Sequence, residues 1–202
     1  MSSIKISMLK DPKSDQVIEL LARAYLTNPI NVSALGGSGE KERQMNRDLF
    51  RVGTELVFRG EWYAAFDSRR IVGVLHTVRF PRCRLSDDQH VAIGPRLEES
   101  LREAAPRVAE WLGEWAKRDP DIDHWHLGPV AVRSELQKRG IGRLMMEQFC
   151  TRVDESGAHA YLETDRPENV SFYEKSGFVL TDQALVLGIP SYFMTRTARA
   201  VS

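Results

Sequence analysis

The stretch His124-Trp-His-Leu-Gly-Pro-Val-Ala-Val-Arg-Ser-Glu-Leu-Gln-Lys-Arg-Gly-Ile-Gly142 reads as a strand, a short turn and a glycine-rich entry into a helix. His124 to Val132 is rich in aromatic and β-branched residues and carries no charge beyond its histidines. Val130-Ala131-Val132 is a short apolar run of the kind buried on both faces. Beyond Gly142, apolar residues recur at helical spacing at Leu144, Met145, Phe149 and Val153, with Ile141 one turn ahead of Met145. The first turn of a helix has N–H groups with no intrahelical partner, and the helix dipole adds positive potential. A phosphate placed there accepts several of those hydrogen bonds. Gly140 and Gly142 leave the main chain bare for a close approach, and Lys138, Arg139 and Arg143 bring positive charge. The expected ligand is a diphosphate.

Three diphosphate signatures can be compared with this junction. A P-loop needs Gly-Lys-Ser/Thr after four intervening residues, and that is absent. A dinucleotide fingerprint needs G-x-G-x-x-G close to the strand end. Met145 stands at the third glycine position, and Arg133 to Arg139 separate the strand from Gly140. What remains is Gln137-x-x-Gly140-x-Gly142 after an apolar strand, which resembles the acetyl-coenzyme A signature of the GNAT family of N-acetyltransferases. Downstream, Leu162-Glu-Thr-Asp-Arg-Pro-Glu-Asn-Val-Ser-Phe-Tyr-Glu-Lys-Ser-Gly-Phe178 resembles the family's next strand, loop and helix, with its N-x-x-F-Y-x-x-x-G-F pattern. With the closing Phe193-Met-Thr-Arg196 it is most similar to the puromycin N-acetyltransferase branch. The match covers about residues 124–196. It implies an α/β fold with a central mixed, mostly antiparallel, splayed sheet flanked by helices. It also implies one GNAT domain over 1–202 with a helical insertion at about 95–118.

Composition agrees with an ordinary globular chain: 202 residues, 42% hydrophobic and 28% charged. Lys plus Arg equals Asp plus Glu at 28 each, so no electrostatic footprint for nucleic acid is expected. No signal pattern or membrane-length apolar run is present, which makes cytoplasm the default compartment, with no membrane partner. Cys83 and Cys150 make no disulfide framework, and Cys150 reads as core. The assembly is expected to be a monomer or homodimer.

Ile4 to Met8 reads as a strand, and Ser14-Asp15 opens a helix that Pro29 ends. Ser33 to Ser38 reads as loop and Glu40 to Arg59 as one helix. Glu61 to Phe66 and Ile71 to Val78 pair as strands, with Gly73 marking a possible bulge. Ser86 to Gly94 reads as polar loop. Leu97 to Lys117 is helical in pattern, and Pro106 within it predicts a kink or two helices. An apolar face at helical spacing favours plain packing there over a substrate lid. Ala158 to Thr164 is a strand, a short helix starts at Pro167 or Asn169, and a final hairpin spans Phe178 to Thr195, with a loose tail beyond.

Acetyl transfer to an amine requires a held thioester, a donor for the carbonyl oxygen, a proton for the leaving thiolate and a base for the amine. By resemblance, the cofactor acetyl-CoA lies on Gln137, Lys138, Arg139, Gly140, Ile141, Gly142 and Arg143. Its pantetheine arm pairs with Val130, Ala131 and Val132 beside a splay in the sheet, and the Val132 N–H is the oxyanion donor candidate. Gly128-Pro129 just before this run is consistent with a distortion, since proline cannot donate to a ladder. Asn169 binds near the arm, and Tyr173 faces the sulfur as general acid. A phenol of pKa about 10 can protonate a thiolate while staying neutral itself. The base is open between His126, on a strand with His124, and Glu163. An H-x-H pair on this strand is also found in arylalkylamine acetyltransferases, which resemble the chain here. The pair could ligate zinc, yet no third ligand is evident in the sequence, so no metal is expected. The implied acceptor is an amine of a small molecule, attacking directly in a ternary complex. A non-catalytic acyl-CoA sensor and an acetyltransferase acting on a protein amine are the alternatives.

Overall fold

The computed structural model describes residues 4–199, so the last part of the expected tail lies outside the described residues. Strand β1 (Lys5–Met8) leads into helices α1 (Asp15–Tyr25), α2 (Pro29–Leu35) and α3 (Glu40–Val52). A hairpin of β2 (Glu61–Asp67) and β3 (Arg70–Arg79) follows, then α4 (Asp87–Leu101) and α5 (Ala105–Ala116). The second half runs β4 (His124–Val132), α6 (Ile141–Ser156), β5 (His159–Thr164), α7 (Pro167–Glu174), β6 (Val179–Val186) and β7 (Ile189–Arg196). The seven strands form one sheet in the order β1-β2-β3-β4-β5-β7-β6. Only the β4–β5 pair is parallel, joined through α6; every other neighbour is antiparallel. This is the mixed, mostly antiparallel, helix-flanked sheet expected from the sequence.

Period-two alternation divides the sheet's apolar residues between two layers. Ala65, Val72, Leu75, Trp125, Leu127, Ala160 and Leu162 pack under Met145, Met146, Phe149 and Val153 of α6. On the other face, Trp62, Ala64, Ile71, Val74 and Ala131 meet Val17, Ile18 and Leu21 of α1 and Phe50 of α3. A third cluster joins α2, α3, α4 and α5 through Ile30, Leu49, Leu97, Leu101, Val108 and Trp111, and reaches Val186 at the β6–β7 turn. Among the described residues no helix is long and apolar enough to cross a membrane.

Three local expectations need correction. Pro29 does more than end α1: with its fixed φ it starts α2 at the first helical position, and Ser33 to Leu35 are helix rather than loop. The stretch Glu40 to Arg59 is helical only to Val52, after which Gly53–Val57 widens into a π turn. The segment Ser86 to Gly94 is the start of α4. Ser86 caps it, accepting from Gln89 N–H at 3.4 Å, while the Gln89 carboxamide oxygen accepts from Ser86 N–H at 2.8 Å. That reciprocal pair is a capping box written in the sequence as Ser-Asp-Asp-Gln. The break expected near Pro106 is present. The chain leaves α4 through a short three-residue turn at Arg102–Ala104, and Pro106 sits in the first turn of α5.

The feature that positions the site lies at the middle of β4. Thr77 pairs with Leu127 but Leu75 pairs with Val130, so β4 spends one more residue than β3 across this interval. The extra residue falls at the cis Gly128-Pro129, where the His76 ring nitrogen Nδ1 meets the Gly128 carbonyl at 2.7 Å. Such a bulge inverts which side chains face which layer. Trp125 and Leu127 belong to the α6 layer, and after the bulge Val130 and Val132 do, not Ala131. His126 therefore shares a face with Ala131, whereas strict alternation would put it with Val130 and Val132. Gly73 sits close by, next to a register shift in the β2–β3 pair. A Cβ there would come within 2.8 Å of Met145 Sδ, so close packing of α6 on the sheet requires the glycine.

Candidate active site

Strands β4 and β5 pair only from His124–His126 to His159–Tyr161, although both run on. Beyond that point they part, and the β4 edge opens into a cleft of about 1570 Å³. Pockets for a single drug-sized ligand measure about 300–1,000 Å³; this larger cleft has room for a cofactor and a second substrate. It is lined by Val130 to Val132, by Gln137, Lys138, Gly140, Ile141, Gly142 and Arg143, and by Asn169 and Tyr173. His126 and Glu163 line it too. Of the sequence-predicted residues only Arg139, which is exposed, stands outside the lining.

The helix entry is built as the sequence suggests. Gly140 is the N-cap of α6 with φ 84° and ψ −4°, a left-handed conformation suited to glycine. Gly142 lies inside the first turn, where an added Cβ would meet nothing nearer than Phe172 at 3.4 Å. Gly140 to Arg143 line the cleft, and the first N–H groups of this turn have no intrahelical partner.

The parted edge of β4 is already occupied by side chains. Arg133 N–H donates to the Val72 carbonyl of β3 at 2.9 Å, so alternation turns the main-chain groups of Val132 and Val130 the other way, into the splay. There the Tyr25 hydroxyl accepts from Val130 N–H and donates to the Val130 carbonyl, both at 3.1 Å. The Gln137 amide donates to the Val132 carbonyl at 3.2 Å. Sequence reasoning missed Tyr25, which lies 105 residues away and is brought here by α1 packing on the sheet.

Asn169 donates to Thr164 Oγ1 at 3.1 Å, tying the start of α7 to the end of β5. The neighbouring Asp165 accepts from Ile30 N–H at 2.8 Å, and Arg166 donates to the Thr27 carbonyl at 2.9 Å, so the β5–α7 loop is clamped to the α1–α2 loop. Tyr173 is 8% exposed. Burial raises the pKa of its phenol, the Asp165 carboxylate pushing the same way, so it holds its proton at neutral pH.

On the face of the sheet opposite α6, His126 stands between two carboxylates. Its Nδ1 is 2.7 Å from Asp119 Oδ2 and its Nε2 is 3.0 Å from Glu163 Oε2. Both carboxylate side chains are nearly buried, at 6% and 7% exposure. Burial works against a charged imidazole, but Glu163 and Asp119 outweigh it and hold the His126 pKa well above the ordinary value. His124 is likewise pushed up to about 9, burial being outweighed by Asp119, Cys83 and the Ile122 carbonyl. The two rings in turn hold the Asp119 carboxyl below its usual range and lower the Cys83 thiol, in each case against burial. Neither Asp119 nor Cys83 was singled out from the sequence as a site residue. The only available signal was one Cys at the start of a helical excursion and the aspartates Asp119, Asp121 and Asp123 at its end, followed by His-x-His.

The model of the family described as "Acetyltransferase (GNAT) family" matches residues 38–178. Among solved structures, the chain is similar to a histone acetyltransferase HPA2 and related acetyltransferase from Corynebacterium glutamicum, at 21% identity and TM-score 0.75, covering 99% of each chain. It is similar to an agmatine N-acetyltransferase at 12% identity and TM-score 0.64, covering 96% of this chain and 99% of the other. An aminoglycoside 6'-N-acetyltransferase complexed with coenzyme A shares 17% identity with TM-score 0.55, over 98% and 99%. At these identities the likenesses speak to the fold.

Proposed function

The chain belongs to the GNAT acetyltransferase family, and from that premise we propose that it transfers the acetyl group of acetyl-CoA to an amine of a small-molecule acceptor, within a ternary complex. The observation that carries this reading is that a glycine-lined helix entry, a parted strand edge, a protonated buried phenol and a carboxylate share one cleft. The diphosphate of acetyl-CoA rests on the N–H groups of Gly140 to Arg143, with Lys138 and Arg143 beside it. The pantetheine arm exchanges with the Tyr25 hydroxyl and the Gln137 amide along Val130 to Val132, near Asn169. The Val132 N–H receives the carbonyl oxygen as charge builds on it.

Glu163 is the base in this reading. His126 has both ring nitrogens engaged by carboxylates, so it positions Glu163 from behind rather than taking the proton itself. The amine nitrogen attacks the acetyl carbon and Glu163 takes the ammonium proton, directly or through water. As the carbon–sulfur bond breaks, the thiolate takes the Tyr173 proton. Solvent exchange then returns Tyr173 and Glu163 to their starting states.

The small-molecule acceptor rests on the likeness of Leu162 to Phe178 and Phe193 to Arg196 to the puromycin N-acetyltransferase branch. Apolar walls from Leu97, Trp111, Leu112 and Trp115 suit an amine with an apolar body. We read 1–202 as one domain, with the helices between β3 and β4 as an insertion that packs on α2 and α3 while walling this half of the cleft.

A panel of amines with acetyl-CoA, read by thiol release, tests the proposal. Amine-dependent release is expected. Glu163→Gln should lower turnover by about a hundredfold or more while acetyl-CoA affinity stays within about twofold. Acetyl-CoA binding with no release for any amine would leave an acyl-CoA sensor, and no binding would overturn the reading.

A further inference from the structure

Four side chains from three segments of the chain converge at the wall of the cleft, where Cys83, Asp119 and His126 line it and His124 is buried behind. Cys83 comes from the turn after β3, Asp119 from the segment after α5, and His124 and His126 from β4. Each offers one ligand atom, and these atoms all lie within 4.8 Å of one another. Cys83 Sγ is 3.8 Å from His124 Nε2 and 3.8 Å from Asp119 Oδ1. His124 Nε2 is 3.3 Å from Asp119 Oδ1.

We propose that Cys83, Asp119, His124 and His126 form a four-ligand site for a divalent metal of the zinc type, with the metal at their centre. Zinc bonds of about 2.0–2.3 Å to N, O and S, arranged tetrahedrally, put ligand atoms roughly 3.3–3.7 Å apart. The three spacings above are close to those edges. His126 Nδ1 lies 2.7 Å from the second carboxylate oxygen, Asp119 Oδ2, a hydrogen bond that gives way when both residues turn to the metal.

Two further features separate this from an ordinary hydrogen-bonded cluster. Both histidines have their outer nitrogen occupied by an acceptor: His124 Nδ1 lies 2.7 Å from the Ile122 carbonyl, and His126 Nε2 lies 3.0 Å from Glu163 Oε2. An N–H donated outward fixes the ring, and the metal takes the place of the proton on the inner nitrogen, the usual arrangement around metal-bound histidine. The second feature is the thiol. Sulfur is a weak hydrogen-bond partner, so it adds little to a polar network, whereas as a thiolate it is among the preferred zinc ligands.

With four protein ligands the site is closed, and its work is structural. Cys83 and Asp119 are 36 residues apart and flank the α4–α5 excursion. The metal therefore fastens both feet of that excursion to β4. Through the His126–Glu163 hydrogen bond it also fixes a cleft carboxylate.

The experiment uses the full chain, stripped with a chelator under reducing conditions and titrated with Zn²⁺ or Co²⁺. One equivalent should bind, with the cobalt form showing thiolate charge-transfer absorption and the intense visible bands of a tetrahedral site. Cys83→Ser should lose the charge-transfer band. His124→Gln should weaken zinc binding beyond the roughly 10–100-fold that loss of an outer partner costs. Should Cys83→Ser fail to fold, thiol labelling of the unaltered protein gives the same information: zinc should shield Cys83 and leave the reactivity of Cys150 unchanged. Binding well below one equivalent, a weak octahedral cobalt spectrum, a band that survives in Cys83→Ser, or equal labelling of Cys83 with and without zinc would overturn the proposal.

Discussion

At Tyr173 a single oxygen atom separates packing from chemistry. The ring contacts Phe172 and Phe178 edge-on, at centroid distances of 5.2 and 6.0 Å, and those contacts survive in Tyr173→Phe. If the hydroxyl protonates the thiolate, this variant should fold and bind acetyl-CoA with near-normal affinity. Its turnover should fall by about a hundredfold or more. Steady-state kinetics alongside calorimetry checks both halves, and turnover within twofold of the unaltered protein, with chemistry rate-limiting, removes Tyr173 from the mechanism. The pattern Asn169-x-x-Phe172-Tyr173 made this residue legible in the sequence. Tyr25, Asp119 and Cys83 were not legible, because each reaches the site through packing between elements far apart in the chain. No local periodicity records such contacts.

At the scale of elements, α6 and β4 carry the proposed cofactor half of the site, and as a helix and a strand both were readable in advance. Short-range rules govern them: glycine at a left-handed helix entry, apolar residues at helical spacing, a β-branched strand. Gly142→Asp tests the entry. Its Cβ has space, so the variant should fold with an unchanged melting temperature. Its carboxylate would sit among the N–H groups meant for phosphate, and calorimetry should show acetyl-CoA binding weakened roughly tenfold or more. Unchanged affinity would move the cradle elsewhere. Gly128-Pro129 signalled a distortion of β4, since proline cannot donate to a ladder; what the sequence did not disclose was that the strand gains an extra residue there. Its effect depends on the pairing of β4 with β3, and it reverses the sides on which Val130 and Ala131 lie. The start of α4 is a different case. Its capping box was written at Ser86 and Gln89, but the polar residues that follow hid the helix.

Across the whole molecule, stability should depend on pH through His76, which is 1% exposed beneath the bulge. Burial lowers its pKa to about 4 from an ordinary 6.5, with the charge of His126 adding and the Gly128 carbonyl opposing. The unfolded chain thus takes up this proton near 6.5 while the folded protein resists it until about 4. Stability is fully present above the higher value and declines as pH falls toward the lower one, by up to about 1.4 kcal/mol per pH unit and about 3 kcal/mol in all. His76→Gln keeps a donor for the Gly128 carbonyl but does not titrate. Urea unfolding from pH 7 to 4 should show a shallower loss in this variant, and identical slopes would refute the assignment. The parted sheet has a consequence of a different kind. An unpaired strand edge is an adhesive surface, a template on which another chain can add a strand and begin to aggregate. Here the edge lies inside a wide cleft, where neither a charged residue nor a covering helix could guard it without closing the cleft. The Tyr25 hydroxyl and the Gln137 amide complete the ladder instead. They leave the edge non-adhesive while no ligand is bound, and under the proposed function the pantetheine arm displaces them one hydrogen bond at a time.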